Sequence, residues 1–335
     1  MISNLKKIKV LKKFFDLKNI PLIKNKNFIH FENGDIWFIG DKKEYEIFLS
    51  RYNEDEKKFI KEKTANINDF FILLISTKQF SLSELLPKND FSLINKESNI
   101  LLHIPHDSIK IPKWCETDFI INNIYEEALK MSDWKVSELI WEEQYNHSSL
   151  KSNISRICVD FERFKDDKNE PMSKLGMGKF YSVTSDKKKL RFLSKTNEKK
   201  LELIYDNYHS ILKNKSIELI NKYKNNAYIL DIHSYPDEDR WYETKNIKPD
   251  VCLGFNNNMD LNIINYIKKI FEESNYSVEF NNPYSGSIVP KGININSIMI
   301  EINRKLYLTD DYIYIENKKL KETLSRVINY LKLKN

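Results

Sequence analysis

The chain has 335 residues, of which 41% are hydrophobic and 13% aromatic. That suits a packed protein with one large domain and a smaller one, and excludes a disordered chain. The formal charge of +6 comes from 54 basic and 48 acidic residues; they are interleaved along the chain, which argues for a solvated surface and against a nucleic-acid groove. Cys115, Cys158 and Cys252 are far apart and form no C-x-x-C pair, so neither a disulfide framework nor a thiolate zinc knuckle is expected.

The opening stretch "MISNLKKIKVLKKFFDL" places lysines and apolar residues at helical spacing. It has no continuous apolar core and no small-residue cleavage site, so it reads as an ordinary amphipathic helix. "NFIHFENGDIWFIG" follows, two β-prone runs around Asn33-Gly34, the dipeptide that favours a tight hairpin. His30 lies on that hairpin and reads as structural. A charged helix is predicted over 41–64, a strand at "FFILLIS" and a short helix at "SLSELLP". Residues 1–97 thus read as a small α+β domain without a cluster of candidate ligands.

From residue 98 the pattern changes. Short apolar runs at "NILLHIP", "SRICVDF", "NAYILDIH", "VCLGF" and "SIMIEIN" alternate with helical stretches at 120–146, 197–224 and 260–274. Such alternation predicts an α/β domain with a parallel or mixed sheet over 98–335. Ligands of such sheets collect beyond the carboxyl ends of strands. There is no apolar run of about eighteen residues to span a membrane, and a cytoplasmic setting is expected.

Candidate chemistry sits at strand ends. "LLHIPHDS" carries His103 and His106, with Pro105 stopping the ladder. "ILDIHSY" delivers His233 beside Asp231, and "IMIEINR" holds Glu301 among apolar neighbours, where a carboxylate needs a partner or a task. Asp133 in "MSDWKVSEL" is either a helix N-cap or a site acid. Two imidazoles and a carboxylate make a common catalytic zinc set, and a further carboxylate is the expected general base. Arg156 and Arg163 in "SRICVDFERF" suit a substrate carboxylate, with a salt bridge from Arg163 to Asp160 as the alternative use. Gly176, Gly178 and Gly286 lie in two loops, where glycine permits close approach to a ligand or a tight turn.

These residues stand in blocks whose order, "HIPHDSIKIP", "SDWKVSEL", "SRICVDFERF", "EPMSKLGMGKFY", "YHSIL", "LDIHSYP", "NPYSGSIVP" and "IEINRKLYL", resembles the N-formylglutamate amidohydrolase family over residues 98–310. The resemblance implies a three-layer α/β/α sandwich with a mixed central sheet, similar to the zinc carboxypeptidases and aspartoacylases. It implies one zinc ion and hydrolysis of the amide of an N-acylated acidic amino acid, with N-formyl-L-glutamate to formate and L-glutamate as the lead reaction. On this footing His106 and His233 look like metal ligands, Glu301 like the general base and Arg163 like the residue that grips the substrate carboxylate. Ile109 stands where carboxypeptidases have a ligand glutamate, and Asp133 is assigned as the third ligand instead. Arg156, Arg304, Tyr284 and Ser234 are assigned to substrate binding, and His103, His209 and Asp231 to supporting the ligands from behind, with His103 as an alternative ligand. The expected partner is a small N-acyl amino acid, with no nucleic acid and no membrane span. Another N-acyl amino acid or a short peptide is the nearest alternative substrate, and a catalytically degenerate binding protein the alternative of a different class.

Overall fold

The computed structural model describes residues 90–238 and 248–333, together with the strands and helical segments of the first 89 residues. The chain divides into two compact units, Met1–Leu86 and Pro87–Asn335. The boundary thus precedes position 97 because β6 (Phe91–Ile94) pairs with β8 (Ser148–Ser152) in the sheet of the second unit.

In the first unit β1 (Leu22–Asn25), β2 (Phe28–Phe31), β3 (Ile36–Gly40), β4 (Thr64–Ile67) and β5 (Phe70–Ile75) form one antiparallel sheet in the order β1-β2-β3-β5-β4. β2 and β3 pair across the expected hairpin, with Phe28 opposite Phe38 and His30 opposite Ile36. Helix α1 (Lys42–Leu49) buries Tyr45 and Leu49. The turn at Asn33-Gly34, the opening amphipathic stretch and the "SLSELLP" helix lie outside the described residues.

The second unit holds a mixed seven-stranded sheet in the order β11-β10-β12-β9-β7-β8-β6. β7 (Ile100–Ile104) and β9 (Tyr228–Tyr235) are parallel at its centre and buried at every position. Strands covered on both faces lose the polar-apolar alternation of a half-exposed sheet, which is why "ILLHI" and "YILDIHSY" read as near-continuous runs. β12 (Asn296–Asn303) pairs parallel with β9 and antiparallel with β10 (Val251–Phe255), which in turn pairs parallel with β11 (Val278–Phe280).

Beyond the single-turn α2 (Lys113–Glu116), helices follow their sequence signals. In α4 (Lys195–Tyr223) Ser194 caps the start by accepting from the Asn197 N–H, and Leu201, Tyr205, Tyr208, Leu212 and Leu219 form the buried stripe. Asp260 caps α5 (Leu261–Glu273) and Asn317 caps α6 (Lys318–Lys332), and each helix turns one isoleucine- or leucine-rich face inward.

Two sequence expectations fail locally. The helix predicted at 120–146 is broken into α3 (Ile124–Met131) and two short 3-10 turns, Val136–Ile140 and Glu143–Tyr145. Ser132 is extended and Lys135 left-handed with φ 62°, so the chain reverses direction and places Asp133 at the tip instead of on a helix. "SRICVDF" is a buried turn and not a strand: Ser155 O accepts from the N–H groups of Cys158 and Val159, and the Arg191 guanidinium binds Cys158 O. A short apolar run does not separate a core strand from a buried turn held by side chains.

Candidate functional site

Strand register builds the floor of the site. His233 on β9 lies beside Glu301 on β12, which lies beside Cys252 on β10. One pleat repeat earlier, His103 on β7, Asp231 on β9, Met299 on β12 and Gly254 on β10 form a parallel row. Residues two apart on a strand share a face. Because β9 continues to Tyr235, Asp231 and His233 point the same way, and three chemically active residues from distant segments meet without any loop. Gly254 closes this floor from above: a Cβ there would stand 2.4 Å from Gly286 O and 2.3 Å from Met299 Cε. Its absence lets the 281–287 loop, with Gly286 at φ +79°, settle over the sheet.

Loops supply the remainder. His106 follows the last residue of β7 by two positions, and its carbonyl accepts the Asp133 N–H at 2.9 Å, which ties the two loops together. His106 Nδ1 lies 3.7 Å and His233 Nδ1 3.1 Å from Asp133 Oδ2. The imidazoles are near neighbours, with ring centroids 5.0 Å apart. The distal nitrogens are anchored: His106 Nε2 pairs with Asp160 Oδ1 at 2.8 Å and His233 Nε2 with Asp231 Oδ1 at 2.9 Å. Carboxylates that orient the far side of imidazoles are what a metal centre uses to fix its ligands.

The donors fit a divalent cation on three counts. All three side chains are buried, and His106 Nδ1 has no hydrogen-bond partner. A tetrahedral ion with ligands at about 2.0–2.2 Å spaces them by about 3.3–3.5 Å, and the measured 3.1 and 3.7 Å bracket that value. With Glu301 uncharged, the carboxylates of Asp133, Asp160, Asp231 and Glu162 also outnumber the guanidinium groups of Arg156, Arg163 and Arg304 by one, an acidic excess that favours a cation.

Electrostatics separates the acids. Burial would raise Asp133, but His106 and His233 outweigh it and hold the carboxyl well below its ordinary range. Asp160 behaves likewise under Arg156, His106 and Arg163. Glu301 goes the other way: burial lifts it from 4.5 to about 8, with Asp133 adding to the shift and His233 opposing it. Its Oε2 has no partner. Folded metal-free protein therefore retains a proton on Glu301 that the unfolded chain releases above its ordinary 4.5. Stability from this group is complete at low pH and is lost as pH rises through about 8. Thermal melting of chelated protein should show that decline between about pH 5 and about pH 9, and Glu301→Gln should shrink it, leaving the part due to His233, which despite burial its acidic neighbours raise in the same sense.

The arginines divide by use. Arg304 is spent internally: it donates to Asp133 Oδ1 at 3.1 Å, Lys130 O at 3.1 Å, and Ser234 Oγ and O at 3.3 Å. Ser234 also accepts from Tyr307 and is buried beneath that guanidinium. Arg156 donates through Nε and Nη2 to Asp160 Oδ2. Arg163 Nε binds Met177 O and lies 3.6 Å from Asp160; among the described residues its two terminal nitrogens carry no hydrogen bond. Its side chain is 21% exposed, so a fork remains to receive an anion. The Tyr284 carbonyl accepts from the Cys252 thiol, and its ring packs against Tyr235. His209, on α4, packs on Tyr205 and is pushed down to about 4 by burial and by His103.

Tyr181 and Glu162 carry no sequence signal for the site, and Asp160 reads from sequence only as a salt-bridge partner of Arg163, which lies 3.6 Å away. Asp160, Tyr181 and Glu162 all touch the centre: the Tyr181 hydroxyl donates to Asp160 Oδ2 at 2.8 Å, and Glu162 Oε2 lies 3.3 Å from His233 Nε2. Asp160 and Glu162 flank Phe161 in an unbroken motif. Without the turn at 155–159 their directions could not be assigned.

A mixed sheet thus brings two imidazoles, an acid held below its ordinary range and a raised carboxyl to one buried place. The chain belongs to the N-formylglutamate amidohydrolase family, whose model matches residues 98–308. Its fold is similar to a crystal structure of N-formylglutamate amidohydrolase from Ralstonia eutropha JMP134, with a TM-score of 0.60 and 21% identity over 73% of this chain and 96% of that one. It is also similar to a gene product of Agrobacterium tumefaciens, with a TM-score of 0.50 and 16% identity over 76% and 96% of the two chains. No curated protein matches the chain by sequence. Among the described residues no helix is long and apolar enough to cross a membrane.

Proposed function

We propose that the chain hydrolyses the amide of an N-acylated acidic amino acid, with N-formyl-L-glutamate plus water giving formate and L-glutamate as the lead reaction. The observation that carries this reading is the juxtaposition of the His106–Asp133–His233 cluster with Glu301, in a chain of this family.

His106, Asp133 and His233 would hold one zinc ion, which when bound supplies Lewis acidity toward water and the acyl carbonyl. Asp160 and Asp231 keep the two imidazoles oriented with their Nδ1 atoms inward, and Arg304 locks Asp133 from the side opposite the imidazoles. Glu301 handles the proton: it accepts one from water as the C–O bond forms and delivers it to the departing amine as the C–N bond breaks. Burial holds a proton on Glu301 up to about 8 in the metal-free site; a bound dication nearby would favour the carboxylate, the form that accepts the proton from water, and a carboxyl at 4.5 would be a poor donor on the return stroke. Arg163 receives a substrate carboxylate on its unspent nitrogens, a pairing that lysine's point charge does not reproduce.

Formate release from N-formyl-L-glutamate, with and without chelator and with zinc restored, tests the reaction. Absence of turnover under all three conditions overturns it. A panel of N-acyl amino acids ranks the substrates. Arg163→Met should raise KM for acidic substrates with kcat little changed, a loss in kcat/KM of about 10–100-fold for one charge-assisted contact. Amidated analogues lacking that carboxylate should be affected far less.

A further inference from the structure

Behind ligand His233 lies a second polar cluster, of which the mechanism above uses only Asp231. His103 Nδ1 lies 2.7 Å from Asp231 Oδ1, the same oxygen that faces His233 Nε2 at 2.9 Å. Glu162 bridges the same two rings, with Oε2 3.3 Å from His233 Nε2 and Oε1 3.7 Å from His103 Nδ1. The other face of His103 meets the Tyr208 hydroxyl at 2.9 Å. His103, Asp231 and Tyr208 are fully buried, although Tyr208 belongs to α4, a separate element from the strands.

A second cation is the first alternative, because His103, Asp231 and Glu162 also cluster as ligands would. The spacings decide against it. At 2.7 Å the His103–Asp231 contact is a hydrogen bond, well short of the separation of about 3.3–3.5 Å that two ligands of one ion keep. Tyr208, His103 and Asp231 therefore form a chain of hydrogen bonds that ends on a ligand ring, with Glu162 in ion-pair range of both rings.

The two ligand imidazoles are held differently. Asp160, behind His106, is saturated by Arg156, Tyr181 and the Glu162 N–H. Among the described residues Asp231, behind His233, meets no guanidinium, and its Oδ2 is buried without a hydrogen-bond partner. Its position depends on His103, and that of His103 on Tyr208. We infer that Tyr208, His103 and Glu162 are positioning residues for His233, so that one hydroxyl on α4 controls how tightly the centre binds its cation. The claim rests on the metal reading above but concerns residues that touch neither substrate nor ion.

The test is zinc affinity of the full chain, measured by chelator competition with zinc alone, for Tyr208→Phe, Glu162→Gln and His103→Gln. Loss of a partner behind a ligand costs about 10–100-fold in metal affinity. That is the loss expected for His103→Gln and Glu162→Gln, with a smaller but measurable loss for Tyr208→Phe. Tyr205→Phe is the control: it removes a hydroxyl from the same helix that bonds Arg163 O and should leave zinc affinity unchanged. Melting curves establish that each variant is folded. Wild-type affinity in both folded Tyr208→Phe and folded Glu162→Gln overturns the inference, as does an equal loss in Tyr205→Phe. A wild-type chain that takes up no zinc fails the metal reading itself, a result separable from either.

Discussion

Glu301→Gln should reduce hydrolysis of N-formyl-L-glutamate by about 10²–10⁴-fold while zinc content stays at the wild-type level. The amide keeps the size of the side chain and its place on β12 beside His233, but it neither takes a proton from water nor returns one to the amine. Burial of glutamine in place of a neutral carboxyl is mild, because Glu301 already prefers the uncharged form up to about 8. The melting temperature at neutral pH should accordingly hold or rise. Metal analysis and kcat on the same preparation check the prediction. Turnover within a few-fold of wild type would remove Glu301 from the chemistry.

Asp133→Asn should abolish tight zinc binding and activity together, and should destabilise the metal-free protein as well. The carboxylate is the junction of the site: it faces both imidazoles through Oδ2 and accepts from Arg304 through Oδ1. Removing its charge leaves the buried Arg304 guanidinium with hydroxyl and carbonyl acceptors only. Breaking a buried ion pair from one side costs about 3–5 kcal/mol. Calorimetric melting with and without zinc measures both parts. If the Asp133→Asn variant binds zinc like wild type, the carboxylate is structural and the third ligand lies elsewhere.

These two predictions differ in how far the sequence alone supports them. Glu301 was legible because an acid inside "IMIEIN" has no reason to be there unless it is used. His233 was legible at the end of a strong strand, and the β9 signal was strong because both faces of that strand are buried. Asp133 was harder. Its context reads as a helix start, and only the left-handed Lys135 and the extended Ser132 reveal that the chain turns there to present the carboxylate. Arg304 reads from sequence as a binding residue beside the strand end, whereas the fold gives its donors to Asp133, Ser234 and Lys130.

Local information in the chain determined the α/β class of the second unit, its central strands, the capped helices and the ordered motif blocks that mark the family. Each of these depends on periodicity or on neighbours within a few residues. The tertiary structure alone decided which acids are pushed down and which is pushed up, how the arginine donors are shared out, and that Asp160 and Asp231 stand behind different rings. Those properties depend on desolvation and on contacts such as Tyr208 to His103, between residues 105 positions apart, and no local pattern encodes such distances.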